Sequence, residues 1–526
     1  MFENIKRFFG FKPTSEITEL LITIEPLEKR VALVEGGILE EFSIEREGDR
    51  SISGNIYKGR VHNVENGLKA LFVDIGLEKN AFLHFWDAVP GVEEGVERIE
   101  ITGRKASKRK KITSDDIPKL YPSGSDVVVQ VTKGPIGTKG ARITTNISLP
   151  GRYLVLMPYS DQYGISRKIE DSDERKRLRK ILTELDVPEN MGVIIRTAGE
   201  GMKARYFVRD IAMLLDRWNK VQEDIRQKPA PSLILAEPDL VERTVRDFLT
   251  EDVDGIIVDH EATADRIRDL VQIISKRSAR KVKFYVEPTP LFEKYQINKQ
   301  ADSALRRQVW LKSGASLVID ETEALVAIDV NTGRSRGGKD LDDTILKTNM
   351  EAAEEAARQL RLRNIGGIIV VDFIDMKSRK DQQRVVDHFK ACLKRDKAKT
   401  HVLPISQLGL LEMTRQRVQE SISRAIYIEC PACKGKGIVK SPETMSVEIQ
   451  REIIRLLAQN TEVHELKVIV SPPVMQRLRD EDDEILMDIQ RRFAAKLSFK
   501  TDHAFLMEEF KILNAQNDQE LKQGAA

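Results

Sequence analysis

The rhythm of apolar and polar positions changes several times along the chain, and each change predicts a new element. Residues 19–26, 29–37 and 38–46 are apolar runs of strand length, separated by Pro26 and by Gly36–Gly37. From Ile52 to about Ser148 the pattern stays β: 55–64, 69–76, 80–86, 126–133 and 137–145 are short strands with glycine turns. Such a run over roughly 95 residues predicts a small barrel of the OB type. From Gly151 to Pro231 strands (153–158, 164–170, 192–196) mix with helical stretches at 170–185 and around 211–218, and Pro229 and Pro231 suggest a boundary. A helix at 241–249, a strand at 255–260, a helix ending near Ser275 and a strand at 282–288 then form an α/β block.

The second half repeats the alternation in a new unit. Strands at 316–320 and 324–330 flank a short link, a long helix follows at 341–363, and 366–373 reads as a buried strand. Beyond 430–437 come a helix at 446–459, a strand at 466–472, a charged helix and a strand-like stretch at 497–502. No internal repeat is visible. The pattern is multidomain α/β, as 526 residues would suggest, since single cores rarely pass about 300 residues.

Composition adds less. Lys and Arg total 85 against 83 Asp and Glu, so a nucleic-acid partner has to be argued from where charge sits, not from the net +2. No apolar run approaches the roughly 20 residues of a membrane span, and the start lacks the apolar stretch of a secretory signal. Phe2, Ile5, Phe8 and Phe9 among Lys6, Arg7 and Lys12 allow a weak membrane-surface helix, or simply a frayed tail. Three cysteines exclude a disulfide framework and suit a reducing compartment, so a cytoplasmic location is expected.

The chemistry gathers at the ends of two strands. Asp329 and Asn331 share one face of 324–330, and Asp372 ends 366–373 after a strand–helix–strand crossover. Two carboxylates and a carboxamide at carboxyl ends are the hard oxygen donors that Mg²⁺ accepts. The intervening loop adds Arg334, Arg336 and Lys339 on a glycine-rich backbone suited to phosphates. The bland alternative is a pair of turn-forming or helix-capping residues. Cys430 and Cys433 form one CxxC with glycines after it, half of a tetrahedral zinc site. A two-fold axis would complete it from a second chain; His388, His401 or Cys392 could complete it within one, or the pair could be metal-free. On alternating strands, Phe72 and Asp74 oppose Leu71 and Val73, and Phe82, His84 and Trp86 share a face, placing aromatics either in the barrel core or where they stack bases. Arg196 and Thr197 follow a strand directly and precede glycines, a fork and a hydroxyl suited to a terminal phosphate.

Residues 324–334 (ALVAIDVNTGR) and 349–376 (NMEAAEEAARQLRLRNIGGIIVVDFIDM) closely resemble the catalytic stretch of the ribonuclease E/G family. The resemblance runs from about Arg30 to Gly437 and less clearly through the tail. It implies that Asp329 and Asp372 bind Mg²⁺ with Asn331 assisting, and gives Asp375 no role beyond an accessory one. It implies RNA contacts at Phe72, Phe82 and Lys139, and a 5′-monophosphate sensor at Arg196 and Thr197, with backbone near Val155 and with Arg167. It favours a zinc shared between chains through Cys430 and Cys433, in a homodimer or a dimer of dimers. The basic insert at 103–111 is not part of the family pattern; a solvated loop or an extra RNA patch would fit it.

The domain plan implied is a first part of an RNase H-like domain at 1–50, an OB-fold RNA-binding domain at 51–148 and a 5′-sensor at 149–240. The second RNase H-like part at 241–304 precedes a DNase I-like catalytic domain at 305–427, a zinc link at 428–440 and a small dimerisation domain at 441–526. The first residues are an addition to the family pattern, and the chain ends without the long scaffold of the larger branch, which implies the shorter, ribonuclease G-like one. The activity implied is Mg²⁺-dependent hydrolysis of single-stranded RNA to 5′-phosphate and 3′-hydroxyl ends, stimulated by a 5′-monophosphate, in rRNA and tRNA processing and mRNA decay. A non-catalytic RNA-binding dimer and a DNA nuclease are the competing readings.

Overall fold

A computed structural model describes residues 17–46, 52–88, 96–98, 116–135, 139–160, 162–248, 253–274, 278–333, 341–417, 421–459 and 464–524. The N-terminal segment at 2–12, the basic insert at 103–111 and the Arg334, Arg336 and Lys339 loop lie outside them. The chain divides into two compact units, Met1–Ile422 and Ser423–Ala526. No helix among the described residues is long and apolar enough to cross a membrane.

Among the described residues the first unit holds four sheets. One has strands Thr18–Ile24, Glu28–Glu35 and Ile38–Arg46 in antiparallel succession, with Gly255–Val258 and Val282–Phe284 added in parallel on the other side of the first strand. Because this sheet is completed only after residue 255, everything between is an insertion into it. The inserted residues build a closed five-stranded barrel from Ile56–Glu65, Ala70–Asp74, Ala81–His84, Arg142–Thr144 and Asp126–Lys133, the last pairing back with the first. Leu71, Val73, Ala81 and Leu83 fill its interior and are fully buried, as strict alternation requires. Pro229 and Pro231 do not end this region: Ser232–Leu235 returns and pairs with Ile56–Lys58.

A third sheet takes Leu149–Pro150, Leu154–Pro158, Met191–Ile195, Tyr163–Ser166 and Val96–Arg98 in spatial order. Helices Ser172–Glu184 and Ala204–Gln227 bury Leu178, Phe207, Leu214 and Trp218 in the same core. The helix Ser172–Glu184 starts at Asp171, whose carboxylate accepts the N–H groups of Asp173 and Glu174.

The fourth sheet runs Gln308–Trp310, Ser316–Glu321, Leu325–Asn331, Gly367–Asp372, Leu410–Arg415 and Thr400–Val402 in spatial order. Only its central pair is parallel, joined by the crossover helix Leu341–Leu362. Ala352, Ala353, Ala356 and Ala357 of that helix are completely buried, a small-residue stripe at helical spacing that lets it lie close to the sheet. Helix Arg379–Leu393 adds Val385, Val386 and Phe389 to the same core. The inner face of the sheet supplies Val326, Ile328, Val330, Ile369 and Val371, each such side chain worth roughly 1.5–3 kcal/mol on burial. Residues 366–373 are therefore buried on one face only; Ile368 is exposed, and the opposite face is open.

The second unit is a four-stranded sheet, Lys496–Thr501, Glu465–Val470, Phe510–Asn514 and Glu520–Gly524 in spatial order. It packs against helices Pro442–Gln459, Pro472–Asp480 and Asp483–Phe493 around Ile449, Ile453, Val468 and Ile512.

Candidate active site and RNA-facing surfaces

The alternation that buries Val326, Ile328 and Val330 turns Ala327, Asp329 and Asn331 outward. On the neighbouring parallel strand Asp372 is outward too, and the register sets Asp329 directly opposite Asp372. Asn331 Nδ2 donates to Asp329 Oδ2 at 2.7 Å, which fixes one carboxylate and leaves its other oxygen free of that bond. Partial desolvation raises the Asp372 carboxyl above its ordinary value, and the charges of Asp329 and Asp375 add to the rise. Like charges across one strand spacing create a demand for a cation. Among the described residues no three His, Cys, Asp or Glu side chains form a ready metal cluster. The donors on offer are two carboxylates and one carboxamide, and these fit a hard cation that keeps several waters.

The chain after Asp372 is pinned by a residue that sequence reasoning passed over. Asn349, fully buried in the crossover helix, donates through Nδ2 to the Ile374 carbonyl at 2.8 Å and accepts the Ile374 N–H through Oδ1 at 3.1 Å. That bidentate clamp sets the turn bearing Asp375. A polar amide within a stripe of alanines was the available signal.

On the barrel, Phe72 and Phe82 are register partners with ring centroids 5.9 Å apart, edge to face, and His84 stands 6.3 Å from Phe82. With Leu71, Val73 and Leu83 inside, these rings lie on the outer surface and are half-exposed. The exposed Lys139 lies two residues before Ala141, whose carbonyl accepts the Phe82 N–H at 2.7 Å. Trp86 leaves the group: the strand stops at His84, and Phe85–Ala88 is a 3₁₀ turn in which Trp86 N–H donates to His84 Nδ1 at 3.2 Å.

Arg196 follows the strand Met191–Ile195, and Thr197 opens a 3₁₀ turn. Val155 is paired with Ile194 on the adjacent strand, and Arg167 is exposed just past Ser166. Thr197 Oγ1 lies 3.0 Å from Ser166 Oγ, so two hydroxyls stand together. Arg196 Nη1 donates to the Gly151 carbonyl and to Asp247 Oδ1, the latter at 3.0 Å. Burial pushes the Asp247 carboxyl up, but Arg246, Arg196 and Lys397 outweigh it and hold it below the ordinary value. Gly151 is itself required: a Cβ there would lie 2.7 Å from Asp210 Oδ2. Asp210 accepts the N–H groups of Arg152, Tyr153 and Leu154 and so shapes the turn that presents the Gly151 carbonyl. Lys168 ties this region to the six-stranded sheet by donating to the carbonyls of Asp396, Lys397 and Ala398 at 2.8–2.9 Å.

In the second unit, Cys430 is exposed and Cys433 half-buried. The N–H groups of Lys434 and Lys436 donate to the Cys430 and Cys433 carbonyls at 2.8 Å, a tight double turn. Backbone N–H groups of Cys433 and Ala432, with the Cys433 thiol, hold the Cys430 thiol below its ordinary value, as a thiolate ligand needs. Cys392 is a helical thiol 3.7 Å from His388, raised by burial.

Residues 148–418 match the description "Ribonuclease E/G family", and residues 429–516 match "RNase E/G, Thioredoxin-like domain". Ribonuclease G of Escherichia coli (strain K12) is 41% identical over 495 residues, covering 94% of this chain and 99% of that protein. Ribonuclease G of Haemophilus influenzae is 40% identical over 499 residues, covering 95% and 99%. Ribonuclease E of Escherichia coli (strain K12) is 39% identical over 468 residues, covering 88% of this chain but 43% of that longer protein. The chain belongs to the ribonuclease E/G family, and its match in length is to the shorter, ribonuclease G-like branch.

Proposed function

We propose that this chain is an endoribonuclease that hydrolyses single-stranded RNA on the open face of the six-stranded sheet. The observation that carries the reading is the opposed pair Asp329 and Asp372, with Asn331 bonded to the first, all three exposed on one face of the sheet. Asp329 and Asp372 would hold a divalent cation such as Mg²⁺, which when bound supplies Lewis-acid stabilisation of phosphate charge and a more acidic water. Asn331 orients the Asp329 carboxylate, and Asn349 holds the turn after Asp372. A water oxygen adds to phosphorus and the bond to the 3′ oxygen breaks, so one product carries a 5′-phosphate and the other a 3′-hydroxyl.

The remaining residues act on binding. Phe72 and Phe82 on the outer surface of an OB-type barrel offer faces for bases, and Lys139 meets the backbone beside them. Arg196 and Thr197 receive a 5′-monophosphate, next to the Val155 strand and Arg167, and that contact stimulates cutting. Cys430 and Cys433 supply half of a zinc site shared with a second copy, giving a homodimer or dimer of dimers. Such an activity would serve rRNA and tRNA processing and mRNA decay in the cytoplasm. The domain plan read from the sequence, with RNase H-like and DNase I-like parts, belongs to the same proposal.

The test is incubation with a 5′-monophosphorylated oligoribonucleotide, its 5′-hydroxyl twin and a matched deoxyoligonucleotide, with Mg²⁺ or EDTA. Cutting of the RNA in Mg²⁺ alone, faster on the phosphorylated strand, is expected. RNA bound but uncut under all conditions would make the chain a binding protein, and cutting of the deoxy strand would make it a DNA nuclease.

A further inference from the structure

Gln308–Trp310 is one edge of the six-stranded sheet. Val309 pairs with Leu317 and is buried against the helices; Trp310 pairs with Ser316, which pairs in turn with Asn331. Alternation puts Trp310 on the open face, where it is 68% exposed. It stands two strand spacings from Asn331, on the order of 10 Å. The adjacent row on that face is Gln308, Val318, Asp329 and Asp372. Trp218 is fully buried, whereas Trp86, on the 3₁₀ turn after the barrel strand, is 64% exposed.

Two further observations point to what meets Trp310. Lys312 is exposed and its ammonium makes no ion pair among the described residues, while its backbone N–H is held by the Glu351 carboxylate at 2.7 Å, fixing the turn that carries it. Gly333, two residues beyond Asn331, is pressed onto the same turn, since a Cβ there would lie 1.8 Å from the Gly314 carbonyl oxygen. The backbone leaving the carboxylate row thus abuts the hairpin that bears Trp310 and Lys312.

We propose that Trp310 stacks on a base of the RNA strand beside the scissile phosphate, and that Lys312 meets an adjoining phosphate. This rests on the reading that the Asp329–Asp372 row cuts RNA. An exposed ring beside an unpaired cation is the combination that grips single strands whatever their sequence, because every base has a π face. A protein partner would want a wider apolar patch than a face that carries Asp329, Asn331, Gln308 and the Arg307–Asp320 ion pair.

Trp310→Ala is expected to raise KM for a single-stranded oligoribonucleotide roughly tenfold, with kcat changed by less than about twofold. Trp310→Phe should recover most of that loss. Binding of the RNA strand in EDTA, where no cutting is expected, should quench tryptophan fluorescence in the parent and much less in Trp310→Phe. The side chain is exposed, so neither variant threatens the fold. Asp372→Asn, assayed in parallel, separates the two claims. Continued cutting by Asp372→Asn would sink the reading of the site itself. A dead Asp372→Asn beside a Trp310→Ala that keeps the parent's KM overturns the stacking assignment alone, as does a Trp310→Ala that changes only the oligomeric state.

Discussion

Two carboxylates set opposite each other on neighbouring strands repel, and folding has to supply that energy from elsewhere. Asp329 and Asp372 gain little structural in return: among the described residues the side-chain bond made by the pair is the one from the Asn331 amide to Asp329. Asp329→Asn or Asp372→Asn should therefore fold normally, bind RNA about as well, and lose at least about a hundredfold in kcat with Mg²⁺. Near-parental cutting by either variant would mean that the scissile phosphate lies elsewhere. Arg196 illustrates the opposite economy. Only its Nη1 is engaged, by Gly151 and Asp247, so Nε and Nη2 have no protein partner among the described residues. A guanidinium fixed at one nitrogen with two others offered suits a phosphate fork. The ratio of kcat/KM for 5′-phosphorylated over 5′-hydroxyl RNA should fall to about one in Arg196→Ala. It should fall part of the way in Asp247→Ala, which frees the fork, and persist in Asp247→Asn, which keeps an acceptor. An unchanged ratio in Arg196→Ala would place the sensor at other residues.

Asp239 holds elements together rather than chemistry. Its carboxylate accepts the Glu242 N–H at 3.0 Å at the start of helix Leu240–Phe248, Lys29 from the first sheet at 2.8 Å, and Arg266 from helix Glu261–Ile274 at 2.9 Å. Burial pushes its carboxyl up, but the Lys29 bond, the helix N–H and Arg266 prevail, and the folded value lies below the ordinary one. A depressed acid stabilises above its unfolded pKa and loses that contribution as pH falls through the folded one. Asp239→Ala should cost about 2–3 kcal/mol at neutral pH, and the gap in urea midpoint should shrink below about pH 4. A constant gap would assign the loss to packing alone. Such a residue shows where sequence reading stops. Alternation correctly set Asp329 and Asn331 on one face, and the crossover carried Asp372 to the matching end, because strand period and connection length are local. Asp239 and Asp247 were silent, since their ties between elements reach Lys29, Arg266 and Arg196, from 27 to 210 positions away; Asn349 stood out among alanines, but its partner Ile374 did not. Trp310 was silent too, because a three-residue edge strand has too few positions to show a period. The single-sided packing, which leaves Asp329 and Asp372 exposed and turns Ile368 outward, is a property that apolar counts on 366–373 do not contain.

At the scale of the whole molecule, the proposed zinc site is a matter of counting ligands. One CxxC offers two thiolates, and a structural zinc takes four ligands. The double turn at Cys430–Lys436 points both carbonyls at backbone donors, and the N–H groups of Cys433 and Ala432 hold the Cys430 thiol below its ordinary value, which favours the thiolate there. If two copies of the chain share the metal, zinc should be present at about one per two chains, and chelation or mild acid should remove metal and loosen the assembly together. Cys430→Ser with Cys433→Ser should abolish zinc and shift the protein toward a smaller species in sedimentation. Apolar side chains exposed in the second unit, Ile485 and Met487 among them, could hold part of the dimer without metal, so the shift in size is the softer readout. Metal content is the harder one. Elemental analysis showing one zinc per chain would mean that ligands within a single chain complete the site, and the shared link would be wrong.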